Sequence, residues 1–257
     1  MNFLGNLNRF NPRCAYFIVF LLLCNSNTSF SQITSTYDSS QFFLEIGSNI
    51  AFPLLDLNSK DLSSKKSGYG KTGISLNAFY GFHGKKNIGM KIGLGFNIFG
   101  YDKSSDTIFD YVNIPSGYIN EVDYGRWWFT NFYIGPNYQI KTTDLVFDFT
   151  LLTGISFSRR PSIEHRFYKT QSDSSPATYK VFEGEGTSLI FKPEIAVYFS
   201  VGKSTNMKIS SSYTYSNPTI RYQERFFNYY WTTSKTDKEI NMKLSWVEFG
   251  IALMFNK

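Results

Sequence analysis

Between Phe43 and Phe255 apolar residues alternate with small or polar ones in eight separate stretches. A period of two is the signature of a β-strand. The last stretch shows it most plainly, with Val247, Phe249, Ile251, Leu253 and Phe255 on one face and Trp246, Glu248, Gly250, Ala252 and Met254 on the other. The same alternation runs over 43–52, 73–82, 88–99, 127–138, 145–157, 189–200 and 207–216. The connections 83–87, 141–144 and 202–206 are short, whereas 53–71, 102–125, 159–186 and 217–241 are long. Strands joined in this order predict an all-β, eight-stranded antiparallel up-and-down barrel. Pro136 and Pro193 lie inside two of the strands and each deletes a ladder donor, so a bulge or a strand end is expected at both.

Alternation alone does not say which face is outside. A soluble lipocalin-like barrel turns its apolar face inward and a membrane barrel turns it toward lipid. The apolar faces here carry no charge, while the opposite faces carry Glu45, Lys91, Asp148, Lys192, Glu194, Lys208 and Glu248 among Gly, Ser, Asn and Ala. Small residues suit a narrow lumen better than a water-facing surface, which favours long Lys and Glu. Long and short connections alternate as external loops and periplasmic turns do. Trp127, Trp128 and Tyr215 at the outer ends and Phe82, Tyr138, Phe199 and Phe255 at the inner ends are expected to form two aromatic girdles. The reading is therefore a transmembrane β-barrel, integral to a bacterial outer membrane. Closure follows from the solvent, because an open edge would leave backbone groups unpaired in hydrocarbon.

Composition adds an address. Arg9 and Arg13, the apolar run 15–24 and a polar segment ending at Ser31 read as a signal peptide over 1–31, too short to span a bilayer. Cys24 is the alternative, a lipid-attachment site, against which stands the bulky Leu23 beside it. Cleavage after Ser31 leaves a periplasmic linker over 32–40, a barrel domain over 41–257 and no cysteine, so the fold is held without disulfides. It also leaves 24 basic against 20 acidic residues, a net +4 too diffuse to point to nucleic acid. Aromatics at 19% are the outlying figure, and many fall in the loops.

The segment Glu248-Phe-Gly-Ile-Ala-Leu-Met-Phe255 resembles the terminal signal of bacterial outer-membrane barrels: a polar residue, a glycine two on, then two apolar residues spaced by one. Asn256 and Lys257 extend past the usual terminal aromatic. The resemblance implies that Glu248, Gly250, Leu253 and Phe255 form an assembly signal read by the barrel-insertion machinery. The whole mature chain resembles the eight-stranded outer-membrane barrels of Bacteroidetes, OmpA-like and including the PorT-like group, and cleavage before Gln32 suits that phylum. What this implies is an address and a route of assembly, with a PorT-like place in a secretion system as one form of the task.

An eight-stranded barrel is only wide enough for its own side chains, which disfavours a diffusion pore. Charges inside must pair, so the seven lumen ions are expected to form a network; a proton or ion relay is the functional alternative. No phosphate loop, metal spacing or cysteine nucleophile appears, no cofactor is expected, and the protein is read as not an enzyme. Ser162, Glu164 and His165 supply the residue types of a lipid deacylase or lipase, the alternative function, yet sequence neighbours seldom converge in space. His83, in a short turn, lies at the opposite end, and His165 is expected to be a solvated loop residue. The richer signal is in Arg221, Arg225, Phe226, Phe227, Tyr229, Tyr230 and Trp231, an arginine and aromatic cluster that favours partner contacts. The segment from Arg159 to Lys169 is similar. The alternative is that these segments continue the hairpins above the membrane and pack on each other. Expected partners are outer-membrane lipid and lipopolysaccharide, the assembly machinery and a surface or secretion protein.

Overall fold

A computed structural model describes residues 41–60, 66–84, 86–102, 119–142, 145–168, 177–202, 204–227 and 233–256. The leader, the linker and Lys257 lie outside these residues. Eight strands form the cylinder: β1 (Gln41–Leu54), β2 (Gly70–His83), β3 (Ile88–Tyr101), β5 (Trp127–Lys141), β6 (Val146–Arg160), β9 (Gly184–Ser200), β10 (Thr205–Ser216) and β13 (Leu244–Asn256). Each pairs antiparallel with its predecessor, and β1 pairs with β13 from Phe43↔Asn256 to Leu54↔Ser245, which closes the sheet. The barrel is thus eight-stranded and antiparallel, with one four-residue helix, α1 (Leu55–Asn58), at its outer mouth.

Faces follow the alternation read in the sequence. Along β5 every odd position from Trp127 to Gln139 is buried and every even one from Trp128 to Ile140 is exposed. Ile46, Ile74, Ile92, Phe132, Ile195 and Leu253 stand on the outside, and Leu189 is 79% exposed. On β1 the apolar side runs from Phe42 to Leu54. At about 3.3 Å per residue and a tilt of about 40° it rises about 30 Å, the thickness of a bilayer's hydrocarbon core. Inward-facing glycines make room for rings on the neighbouring strand. A Cβ at Gly81 would meet the Phe43 ring at 2.5 Å and one at Gly73 the Phe99 ring at 2.7 Å.

Two expectations are corrected. The prolines need neither bulge nor strand end. The β5–β6 ladder passes from Ile134↔Thr153 to Asn137↔Thr150 in unchanged register, skipping Gly135 and Pro136. The β9–β10 ladder likewise skips Lys192 and Pro193. Pro193 pairs with Leu151, the residue that stands opposite Pro136, so both prolines notch one rung of the sheet. Trp127 is no girdle residue: it points inward, fully buried, and its indole N–H donates to the Gly68 carbonyl over 2.8 Å. Trp128, Phe82, Tyr138 and Phe255 do face outward.

The long loops contain strands of their own, as the reading of hairpins continued above the membrane expects. These are β4 (Ile119–Tyr124), β7 (Ile163–Tyr168), β8 (Ala177–Val181), β11 (Thr219–Phe227) and β12 (Thr233–Asn241). They pair in the order β4-β7-β8-β11-β12, each lying beyond the outer end of a barrel strand and repeating its neighbours. Five of the eight barrel strands therefore continue as a raised wall above the belt. No described strand rises above β1, β2 and β3.

Candidate functional site

The inner part of the lumen is ionic. Lys208 Nζ donates to Glu45 Oε1 and Glu194 Oε1, each at 2.5 Å. Lys91 Nζ lies 3.3 Å from Asp148 Oδ1, 3.6 Å from Glu45 and 3.8 Å from Glu194, and donates to the Tyr198 hydroxyl at 3.1 Å. Tyr198 in turn donates to Glu45. Three carboxylates surround two ammonium groups, and Asp148 takes further donors from Thr150, Asn137 and Gln139. His83 belongs to this network. It is the last residue of β2, its ring stacks on Phe43 at 4.5 Å, and its nitrogens meet Asn137 and Gln139. Nothing in its sequence neighbourhood announces this, because the partners come from β5.

Higher in the lumen Lys192 Nζ lies 2.6 Å from Glu248 Oε2. Glu248 also accepts from Asn49 at 3.0 Å, Asn97 at 2.8 Å and the Trp246 indole at 2.7 Å. All seven expected lumen ions are buried, and all seven are paired. Gly250 has a structural duty here: a Cβ on it would fall on the Asn49 amide that holds Glu248. Leu253 and Phe255 face lipid.

The outer part of the lumen is aromatic. Phe99, Trp127, Phe129 and Trp246 pack ring to ring at 4.9 to 5.9 Å. Leu57 of α1 is fully buried in the same core, so this short helix folds back as a plug. Asp56 fastens it by accepting from the Lys243 backbone at 2.7 Å. Leu55 and Tyr69 take left-handed φ values of 49° and 50°, a strained backbone for bulky residues that the tight re-entry imposes. Ions below and rings above crowd the lumen with the chain's own side chains.

The raised wall has an apolar inner face and a charged outer one. Ile163, His165, Phe167, Val181, Ile220 and Tyr222 point inward and are buried. Burial pushes the Tyr179 hydroxyl up to about 12. On the outer face Glu164 accepts from Lys180 at 2.6 Å and Arg166 at 2.9 Å, and these bonds hold its carboxyl below the usual range. The same bond from Glu164 raises the Arg166 guanidinium above its ordinary value. Lys180 and Arg225 lie over the Phe182 ring at 5.5 and 5.2 Å. Arg221 is exposed and reaches Glu239 at 3.5 Å. Tyr229, Tyr230 and Trp231 lie outside the described residues, as do the side chains of Phe226 and Phe227.

The residues considered for hydrolysis do not converge. His165 is 2% exposed rather than solvated, and stacks on Phe167 inside the wall. Glu164, its neighbour on an extended strand, points to the opposite face and is held by Lys180 and Arg166. Among the described residues no group of His, Cys, Asp and Glu is arranged to hold a metal ion.

No family model and no curated protein matches the chain. Solved structures with a similar fold include Neisserial surface protein A, at 11% identity over 83% of this chain and 96% of that one, TM-score 0.42. A major outer membrane protein of Thermus thermophilus matches at 9% identity over 85% and 99%, TM-score 0.47. Ail, the attachment invasion locus protein of Yersinia pestis, matches at 14% over 84% and 99%, TM-score 0.42. The membrane assignment stands on the chain's own surface. Water would meet a continuous hydrocarbon girdle, far beyond the patch size a soluble monomer exposes, with the ions sealed inside. This inverted arrangement suits lipid, and the chain is accordingly an integral membrane β-barrel of the outer-membrane type.

Proposed function

We propose that the protein is a non-enzymatic outer-membrane barrel with a structural and interaction role, in which the raised wall makes the contacts. The observation that carries this is the crowded lumen. Paired ions occupy the inner part and Leu57 with its aromatic core occupies the outer part, which weighs against transport along the axis. What remains accessible is the wall, where an extended, hydrogen-bonded sheet presents Arg221, Arg225 and Phe182 at the cell surface. A rigid sheet loses less entropy on binding than a mobile loop, which favours recognition. In this reading the mature chain begins after Ser31, residues 32–40 form a periplasmic linker, and a place in a secretion or surface assembly is one specific version. Separation of Glu164 from His165 onto opposite faces weighs against the deacylase alternative.

The test replaces 163–181 and 219–241 by short turns in the full mature barrel. The trimmed barrel should still insert and show heat-modifiable gel mobility, while losing the partners captured by the parent in native membranes and losing cell attachment. Equal capture by the two would end the proposal. Fatty-acid release from lipid by the purified parent, abolished by His165→Ala, would establish the enzyme instead.

A further inference from the structure

The inner side of the raised wall carries one cation that no acid answers. Arg160 is the last residue of β6 and keeps the inward parity of Asp148, Ser156 and Ser158 below it, so it stands just above the aromatic core. Its guanidinium lies on the Tyr222 ring, with Cζ 4.4 Å from the centroid. Gly184 makes this possible. It pairs with Arg160, and a Cβ on it would meet the Tyr222 Cβ at 2.8 Å and the Ile220 Cγ2 at 2.7 Å. The arginine thus crosses a position without a side chain to reach the ring beyond it. Arg160 Nη1 is buried and has no hydrogen-bond partner. A buried charged donor without an acceptor is costly, and a guanidinium stacked on a ring keeps the edge of its fork open to a planar anion.

The neighbouring charges are engaged elsewhere or offset one another. Glu224 and Lys238 share the inward parity of Tyr222 and Ile240. Glu224 stands opposite Thr236, two residues from Lys238, so the two ions are diagonal neighbours and offset each other. Glu183 and Glu185 flank Gly184 on the outer face, where Arg159 takes both. Asp102, also at the outer mouth, is held by Lys60 and Lys71. His165 packs between Phe167 and Tyr179. Among the described residues, then, no ion pair reaches Arg160. The surface beside it is apolar and only partly covered: Val122, Tyr124 and Tyr179 pack on the core yet remain half-buried. Tyr179 lies within electrostatic reach of both Arg160 and Glu224.

These features identify a ligand by its chemistry. One negative charge is called for, because one cation is unanswered and Glu224 stands near enough to repel a second anion. A planar carboxylate matches the fork of a guanidinium. The body attached to it has to be apolar, since tyrosine rings and Val122 are the surface it would meet. We infer that Arg160 anchors the carboxylate of a small monoanionic organic acid, whose ring or short chain lies on Tyr179 and Tyr124 inside the wall. This goes beyond the contact role of the outer face and stands whether or not that face holds a partner.

The experiment follows para-fluorobenzoate by fluorine NMR while the full mature barrel, in neutral maltoside micelles, is titrated in, with empty micelles as the background. The parent should bind the probe saturably, with a Kd of about 1 mM or tighter. The neutral isostere para-fluorobenzamide should bind about tenfold or more weakly, the loss expected when a charged acceptor becomes a neutral one. Arg160→Gln should lose the same factor for the acid and nothing for the amide, while Lys86→Gln in a periplasmic turn should match the parent. Unlabelled benzoate should displace the probe well and acetate poorly. No saturable binding by the parent up to about 10 mM overturns the inference, as does binding of acid and amide within about twofold of each other. A folded Arg160→Gln barrel that binds the acid within about twofold of the parent overturns it as well. Should that variant lack heat-modifiable mobility, the comparison of acid with amide decides alone. Acetate as effective as benzoate also overturns the inference, because a bare anion site reads no apolar body. None of these results touches the outer face as a contact surface; that falls only if the trimmed barrel keeps its partners.

Discussion

Replacing Lys192 by Met tests whether the lumen ions hold the barrel together. The ammonium lies 2.6 Å from Glu248 Oε2, and both side chains are almost fully shielded from solvent. At that distance an effective dielectric of about 20 gives an attraction of about 6 kcal/mol, from which the cost of desolvating the lysine must be subtracted. The net loss expected for Lys192→Met is about 3–5 kcal/mol, because it strands a carboxylate in the interior. The neutral donors Asn49, Asn97 and Trp246 remain on Glu248 and keep the loss toward the lower end. The double variant Lys192→Met/Glu248→Gln removes the charge altogether and should recover most of the stability, since a neutral replacement of a buried pair is often tolerated. Urea or guanidinium unfolding of the refolded barrel in detergent, followed by tryptophan fluorescence and gel mobility, gives the three midpoints. A single variant within about 0.5 kcal/mol of the parent, or a double variant no better than the single, would refute the network as a source of stability.

The inner cluster makes a complementary prediction. Glu194→Gln removes the surplus negative charge around Lys91 and Lys208 and should be neutral or stabilising, whereas Lys208→Met should cost about 3–5 kcal/mol by the same unfolding measurement. Gly250→Ala should lower the yield of barrel refolded into detergent, with no assembly machinery present, because the new methyl displaces Asn49; partial rescue by Asn49→Gly separates this packing duty from a recognition signal. The depressed Glu164 carboxyl supports the wall above its ordinary titration range, and that support is lost as pH falls through its lower folded value. Protection of the 163–168 and 177–181 amides against hydrogen exchange, corrected for the intrinsic pH dependence of the rate, should therefore fall as pH drops below the ordinary carboxylate value of 4.5, an effect that Glu164→Gln abolishes and that is modest because the pair is screened by solvent. His165→Ala should leave the belt intact and raise protease cleavage in the wall, since the ring packs against Phe167 and Tyr179.

The barrel is legible in the sequence because lipid imposes one rule on every exposed position of the strands that cross it. Ile46, Phe132 and Leu253 have to be apolar, and the period of two survives with only small uncharged residues such as Ser48, Thr130 and Thr153 among the exposed positions. The wall lies in water, where no such rule applies to its outer face, so β12 reads Thr-Ser-Lys-Thr-Asp-Lys-Glu-Ile-Asn and passes for a loop. A trace exists in β7, whose Ile163, His165 and Phe167 alternate with Glu164 and Arg166, but the stretch is short. The seven lumen ions stand out by their isolation on small-residue faces; their pairing depends on strand register, which spacing along the chain does not contain. His83 reads as a turn residue because it ends a strand, and Trp127 as a girdle residue because tryptophan at a strand end so often marks an interface. Only the depth of Gly68 in the mouth shows why that indole turns inward.

The two prolines decide where the cylinder gives way. At the junction of the chain's two ends, from Phe43 to Leu54 against Asn256 to Ser245, every rung is made. The β5–β6 and β9–β10 seams each miss rungs at Pro136 and Pro193. The final join of the polypeptide is thus continuous over twelve residue pairs. Thermal opening is expected first at the two notches within the chain, where parting the strands does not release an end.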